Sequence, residues 1–243
     1  MAIMVILGAT SDIARATAAA FGRKGWDLHL AGRDKAALPK IATDLALRTG
    51  REVTWSYFEA ADVSSHKAFW ESVAPGAEGV LCAVGALGEQ NKAEHDWTLA
   101  RTILDINFTG LVPVLSMAAN TFAEHGKGLI IGIGSVAGDR GRAANYLYGS
   151  AKAGFATFLS GLRNRLATKG VHVMTIKPGF VATGMTEGLD LPKKLTTTPE
   201  QVAADIVAAA GKKRNIVYTP WFWRWIMWII THIPESVFKR LKL

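Results

Sequence analysis

The sequence predicts an α/β fold: a doubly wound parallel sheet of about seven strands with an apolar helical appendage at the C-terminus. Three observations carry this. Strand-like and helix-like stretches alternate along most of the 243 residues, a pattern that puts helices on both faces of a parallel sheet. The chain opens on a short apolar run that turns through GATSDIA, residues 8–14, into an amphipathic stretch. A later apolar run, LIIGIGS, ends at Ser135, and the next helical stretch carries Tyr148 and Lys152 four residues apart.

The elements follow in order. AIMVILG reads as the first strand and SDIARATAAAFGRKG as a helix closed by Gly25. DLHLAG is the second strand, residues 34–50 the second helix, and REVTWSYFEA, 51–60, the third strand. A helix starts near Ser64, a suitable N-cap. EGVLCAVG is the fourth strand, residues 96–125 supply one or two long helices, and GKGLIIGIGS is the fifth strand. The helix with Tyr148 and Lys152 runs to about Thr168, and VHVMTIKPG is the sixth strand. Thr198, Pro199 and Gln201 form a capping-box pattern at the head of the next helix. NIVYTP is a short seventh strand. The reading is one domain over residues 1–220 and a helical appendage over 221–243.

Composition bounds the function. A chain of this length with 49% hydrophobic residues buries a full core. The single cysteine, Cys82, excludes an intrachain disulfide and fits a reducing compartment. The opening run lacks a basic n-region and reads as a strand, not a signal peptide. Six scattered His form no Cys/His cluster, so no catalytic metal is expected. Of the net charge of +8, the stretch from Lys193 onward carries nine Lys and Arg against three acids, a basic tail of the kind that meets nucleic acid or an anionic membrane.

Tyr148 and Lys152 share one helix face. A Lys ammonium beside a phenol is expected to stabilise the phenolate and lower the Tyr pKa toward neutrality. With the strand-end hydroxyl of Ser135 they supply a proton donor, a pKa tuner and a holder of the substrate oxygen, the roles that carbonyl reduction needs. Tyr146 lacks a lysine partner, since Ser150 stands four residues on. With these residues the chain resembles the short-chain dehydrogenase/reductase family over about residues 1–220. That resemblance implies a Rossmann-type fold and a catalytic set of Asn107 (in DINFTG), Ser135, Tyr148 and Lys152. In it Asn107 kinks its helix and holds a water linked to Lys152, while Lys152 also binds the nicotinamide ribose.

The same resemblance locates a dinucleotide. A strand–turn–helix with Gly8 aims backbone N–H groups at a pyrophosphate, with Gly8, Thr10, Ser11, Asp12 and Ile13 as contacts. Against the family's T-G-x-x-x-G-x-G, Leu7 replaces Thr, and Asp12 and Ala14 replace the second and third Gly. Ala14 keeps the position small, while Asp12 is expected to cap the helix, because its charge would otherwise repel a phosphate. Arg33 follows the second strand where an NAD enzyme would have an acid, which favours NADP(H) over NAD(H). Asp62 and Val63 match the family's pair beside the adenine. Ala83, Val84 and Gly85 stand where the family has Asn-Ala-Gly, without the Asn. Pro178, Gly179, Val181 and Thr183 match the loop over the nicotinamide, and residues 184–197 are expected to form a mobile substrate lid.

The C-terminus lies outside this resemblance. Four Trp fall within residues 221–228, and the apolar run is too short to span a bilayer. On a helix Arg224, Thr231, Glu235, Lys239 and Lys242 would form a thin polar stripe, with Pro234 breaking the helix in two. Such a segment suits the membrane interface, and an oligomer contact is the alternative. Nucleic acid is not expected. The modified glycine loop and apolar tail are similar to the decaprenylphosphoryl-ribose keto-reductase type within the family, which implies a lipid-linked substrate. The expectation is therefore an NADP(H)-dependent oxidoreductase of a carbonyl or secondary alcohol on a hydrophobic or lipid-linked substrate. It would be cytoplasmic, peripheral on the inner membrane face and a homo-oligomer. The alternatives are a soluble 3-oxoacyl-thioester reductase whose tail makes the oligomer, and a non-catalytic nucleotide sensor.

Overall fold

The computed structural model describes residues 2–188 and 190–241. In chain order the elements are β1 (Ile3–Leu7), α1 (Asp12–Gly22), β2 (Asp27–Gly32), α2 (Ala37–Thr49), β3 (Val53–Tyr57), α3 (His66–Val73) and β4 (Ala77–Cys82). Then come α4 (Gln90–Ala93), α5 (Trp97–Leu104), a π-helical turn (Asp105–Thr109), α6 (Leu111–His125), β5 (Gly128–Ile133), α7 (Tyr146–Leu166) and β6 (Val171–Pro178). β7 (Phe180–Val181), β8 (Thr196–Thr197), α8 (Pro199–Gly211), β9 (Ile216–Thr219), α9 (Trp223–His232) and α10 (Glu235–Phe238) complete the chain.

Seven strands form one sheet in the order β3-β2-β1-β4-β5-β6-β9, and every pairing in it is parallel. This is the doubly wound Rossmann arrangement the alternation implies. Strand period 2 divides the core: Val5 and Leu7 pack with α3, α6 and α7 on one face, and Met4 and Ile6 with α1, α2 and α8 on the other. Strand order reverses between β1 and β4, and crevices at such switch points take ligands at the carboxyl ends of the strands. Among the described residues one helical stretch, Trp97–His125, is long and apolar enough to cross a bilayer. Its Leu111, Val114, Leu115 and Phe122 are buried in the core, which accounts for the apolarity.

Several local expectations change. Ser64 does not cap α3; it lies in a 3-10 turn before His66, and its hydroxyl donates to the Asp62 carboxylate, the stronger acceptor. Thr198 caps α8 by accepting from the Gln201 N–H, but the Gln201 side chain donates to Asp205 at 3.0 Å, so the box is half formed. β3 is shorter than residues 51–60, and α7 ends at Leu166. The tail does break at Pro234, into α9 and α10. The polar stripe is therefore not one helix face, and its last member, Lys242, lies outside the described residues.

Candidate active site

The cleft opens at the carboxyl ends of β1, β4 and β5. Gly8 has φ +80, and a Cβ there would lie 2.8 Å from Val84 N and 2.9 Å from the Ala83 carbonyl carbon. Only glycine gives this turn its left-handed backbone and its close approach to the β4 loop. Gly8, Thr10, Ser11, Asp12, Ile13, Arg33, Ala83, Val84 and Gly85 line one continuous crevice. Ser135, Tyr148, Lys152, Pro178, Gly179, Val181 and Thr183 line its continuation, which shares Ser11, Ile13, Val84 and Gly85 with the first part.

Asp62 and Val63 are not among the residues lining the crevice. Asp62 is held by Ser64, whose hydrogen bond lowers its pKa, and Val63 is exposed. Phe58, Glu59 and Ala60 take that end instead, because β3 stops at Tyr57 and the Phe58 N–H still pairs with the Gly32 carbonyl. Arg33 reaches from the end of β2 to Glu59 at 3.6 Å and keeps most of its side chain in solvent.

Asp12 departs from its expected role. Ser11 is the N-cap of α1 and makes no side-chain cap bond, and Asp12 is the first helical residue. Its carboxylate crosses the crevice to accept from the Gly184 N–H at 3.0 Å. It thereby fastens the segment expected to be a lid. That segment returns through β8, paired with β7.

Asn107 is fully buried in the π turn, a feature that often marks functional helices. Its amide donates to the Ala86 carbonyl at 2.7 Å and the Ile103 carbonyl at 2.9 Å, and its oxygen accepts from Ala86 N–H at 3.2 Å. A Cβ on Gly85 would lie 2.9 Å from Asn107 Oδ1 and 3.1 Å from Lys152 Nζ, so both side chains converge on that glycine. Lys152 Nζ donates to the Ile133 carbonyl at 3.2 Å and the Val84 carbonyl at 3.5 Å. It sits 5.7 Å from the Tyr148 ring centroid.

Electrostatics reverse one expectation. Burial pushes the Tyr148 hydroxyl up to about 12, with Ser135 pulling the other way. Lysine does not lower it: burial brings Lys152 itself down to about 8, and its ammonium is aimed at backbone carbonyls. Desolvation disfavours both charged forms and is the largest cause of each shift. Tyr146 stays outside, its hydroxyl 3.4 Å from Glu94.

The outer wall of the cleft is where the tail docks, a contact without a sequence signal. Trp223 and Met227 of α9 are buried with Val136 against Phe180 and Leu195. A Cβ on Gly179 would meet Trp223 Nε1 at 1.9 Å, so that glycine leaves room for the indole. Arg140, five residues after Ser135, donates to the carbonyls of Ile230, Thr231 and Ile233 and to Glu235. Phe222, Trp223, Ile226, Met227 and Ile230 therefore share a hydrophobic cluster with Val136 and Phe180 of the site.

Comparison with known proteins agrees with this fold. The family model for short chain dehydrogenase matches residues 2–194. A Streptomyces coelicolor protein described as an uncharacterized oxidoreductase in the mprA 5' region is 36% identical over 98% of this chain and 95% of its own length. A short-chain dehydrogenase from Sphingobium yanoikuyae in complex with NADPH superposes with a TM-score of 0.83 at 21% identity, covering 97% of this chain and 98% of that one. A variant actinorhodin polyketide ketoreductase with NADPH gives 0.79 at 21% identity, over 89% and 94%. The chain belongs to the short-chain dehydrogenase/reductase family and is an oxidoreductase of that family.

Proposed function

We propose that the protein is an NADP(H)-dependent carbonyl reductase, reversible as an alcohol dehydrogenase, acting on a hydrophobic or lipid-linked substrate at a membrane surface. The observation that carries the reading is the convergence of Ser135, Tyr148 and Lys152 on one cleft continuous with the Gly8 crevice. The close approach at Gly8 fits a pyrophosphate cradle, since any side chain there would fill it. Arg33, exposed beside Glu59, suits a 2′-phosphate, with which a guanidinium makes charge-assisted bonds. Two solved structures of this fold are NADPH complexes.

A bound nicotinamide supplies or accepts the hydride. Ser135 holds the substrate oxygen by hydrogen bonding. Tyr148 donates its proton to that oxygen during reduction and takes one back during oxidation. Lys152 would bind ribose hydroxyls through its ammonium. Asn107 fixes the Ala86 loop and the helix turn beside Lys152. Val136 and Phe180, backed by Trp223 and Met227 of α9, make the substrate wall apolar, which favours a hydrophobic ketone. The outward Trp221, Trp225, Trp228 and Ile229 suit a headgroup region.

The test is NADPH oxidation with hydrophobic ketones. Tyr148→Phe should lower turnover by roughly 10²–10⁴-fold, the usual worth of a general acid, and leave NADPH affinity within a few-fold. Near-normal turnover in that variant would refute the assignment.

A further inference from the structure

Between Ser135 and Tyr148 the chain leaves two buried polar atoms without partners. Arg142 Nε and Asn145 Oδ1 have no hydrogen-bond partner among the described residues, and both side chains line the cleft beside Ser135 and Tyr148. A turn holds them together, with the Asn145 N–H donating to the Arg142 carbonyl at 3.1 Å. Asn145 is the N-cap residue of α7 but makes no side-chain cap bond. The Arg142 side chain also brings Nη2 to 3.5 Å from Met227 Sδ, a weak acceptor. The nearby carboxylate is taken: Asp139 pairs with Lys177 and accepts from the Tyr218 hydroxyl. Two other buried orphans, His66 Nδ1 and Gln90 Nε2, belong to residues outside this cleft lining.

A buried donor and a buried acceptor left open in one cleft wall are costly unless a ligand fills them. We propose that Arg142 and Asn145 together hold a substrate hydroxyl, so that the preferred substrates are hydroxy ketones and, in reverse, diols. One hydroxyl oxygen accepts from Arg142 Nε while its hydrogen goes to Asn145 Oδ1. A carboxylate or phosphate would satisfy Arg142 but set its own lone pairs against Asn145 Oδ1. A hydrocarbon would satisfy neither. Asn145 precedes α7 three residues before Tyr148, and both line this cleft with Ser135. The simplest such substrate carries its hydroxyl on the carbon next to the reacting carbonyl. This inference rests on the reductase reading of the same cleft.

The experiment compares propiophenone, its α-hydroxy derivative and phenylglyoxylate as substrates with NADPH. A second arm titrates the enzyme–NADP+ complex with the matching secondary alcohol and vicinal diol, which needs no turnover. The hydroxy ketone should exceed propiophenone in kcat/KM by about tenfold, and the diol should bind about tenfold more tightly than the alcohol, as for a hydrogen bond to a charged group. In Asn145→Ala and Arg142→Gln both ratios should fall toward one, with NADPH affinity reporting that the variants are folded. Equal binding of diol and alcohol by the wild type, or ratios unmoved in both variants, overturns the inference. So does a preference for phenylglyoxylate that Arg142→Gln abolishes. If no ketone is reduced while the diol still binds more tightly and Asn145→Ala removes that difference, the reductase reading falls and the hydroxyl site stands.

Discussion

At Lys152 and Tyr148, burial decides both shifts: it pushes the phenol up and brings the ammonium down. With Lys152 at about 8 and Tyr148 at about 12, the phenol keeps its proton throughout the physiological range, whereas the ammonium loses its charge just above it. Reduction needs Tyr148 protonated and Lys152 charged. Activity should therefore be present below pH 8 and fall as pH rises through the lysine value, long before the tyrosine titrates. kcat/KM for NADPH, which reports groups of the free enzyme, should show this limb between pH 6 and 11. A limb found only above pH 10 would separate the lysine charge from catalysis. The pairing of these residues was legible because helical spacing is local. The sign of the tyrosine shift was not, because desolvation depends on what the rest of the chain stacks around the hydroxyl.

Asp12 shows the same limit. Its identity was evident as a departure from the family loop, but its partner, Gly184, is 172 residues away. Two effects oppose each other there. The carboxylate repels phosphate, and its hydrogen bond holds the segment over the crevice. Asp12→Asn keeps an acceptor and drops the charge, so it should bind NADPH more tightly. Asp12→Ala loses both and should release NADPH about fivefold faster, given roughly 1 kcal/mol for a partly exposed hydrogen bond. Stopped-flow release rates distinguish the two, and equal rates in wild type and Asp12→Ala would dissolve the clasp.

Among the elements, β1, β4, β5 and β6 were readable because each is a short apolar run with Gly or Pro at one or both ends, and the parallel order follows from the intervening helices. The end of β3 was less so. Asp62 and Val63 match a family position, but where the strand stops decides which side chains enter the crevice, and Phe58, Glu59 and Ala60 do. α9 shows what sequence periodicity leaves open: an apolar helix with Trp on several sides does not say which side is covered. Arg140 answers that from the loop after Ser135. Its guanidinium takes the C-terminal carbonyls of α9, pairs Glu235 at 2.7 Å and stacks 4.0 Å from the Phe238 ring centroid. A cation at a helix C-terminus is favourable on both hydrogen-bond and dipole grounds. Arg140→Ala should cost about 2 kcal/mol, a fall of roughly 4–8 °C in Tm for a chain of this size, with increased proteolysis at 221–241. Arg140→Lys should recover only part, since a single ammonium lacks the planar fork. An unchanged Tm would mean that α9 is held by its apolar face alone.

For the whole molecule, the question is what the outward side of the tail meets. Trp223 and Met227 face the cleft wall, while Trp221, Trp225, Trp228 and Ile229 are more than half exposed and recur at helical spacing on the other side. Exposed Arg224, Lys239 and Arg240 flank them, and Glu235 is engaged by Arg140. Three such cations contribute about 1 kcal/mol each near an anionic surface. Burying a large apolar side chain contributes about 1.5–3 kcal/mol, so the Trp face should dominate, and salt should weaken vesicle binding without abolishing it. Truncation at Pro220 is a poor test, because it strips the cover from Val136 and Phe180 beside the site. Substituting outward residues avoids this. Trp225→Ser with Trp228→Ser should reduce co-sedimentation with phosphatidylglycerol vesicles by at least about tenfold, while NADPH affinity and Tm stay near wild type. If the wild type ignores vesicles and the double variant instead shifts to a smaller species in sedimentation velocity, the face belongs to a second copy of the chain. The lipid-linked substrate then loses its support, while reductase chemistry at Ser135, Tyr148 and Lys152 keeps its own.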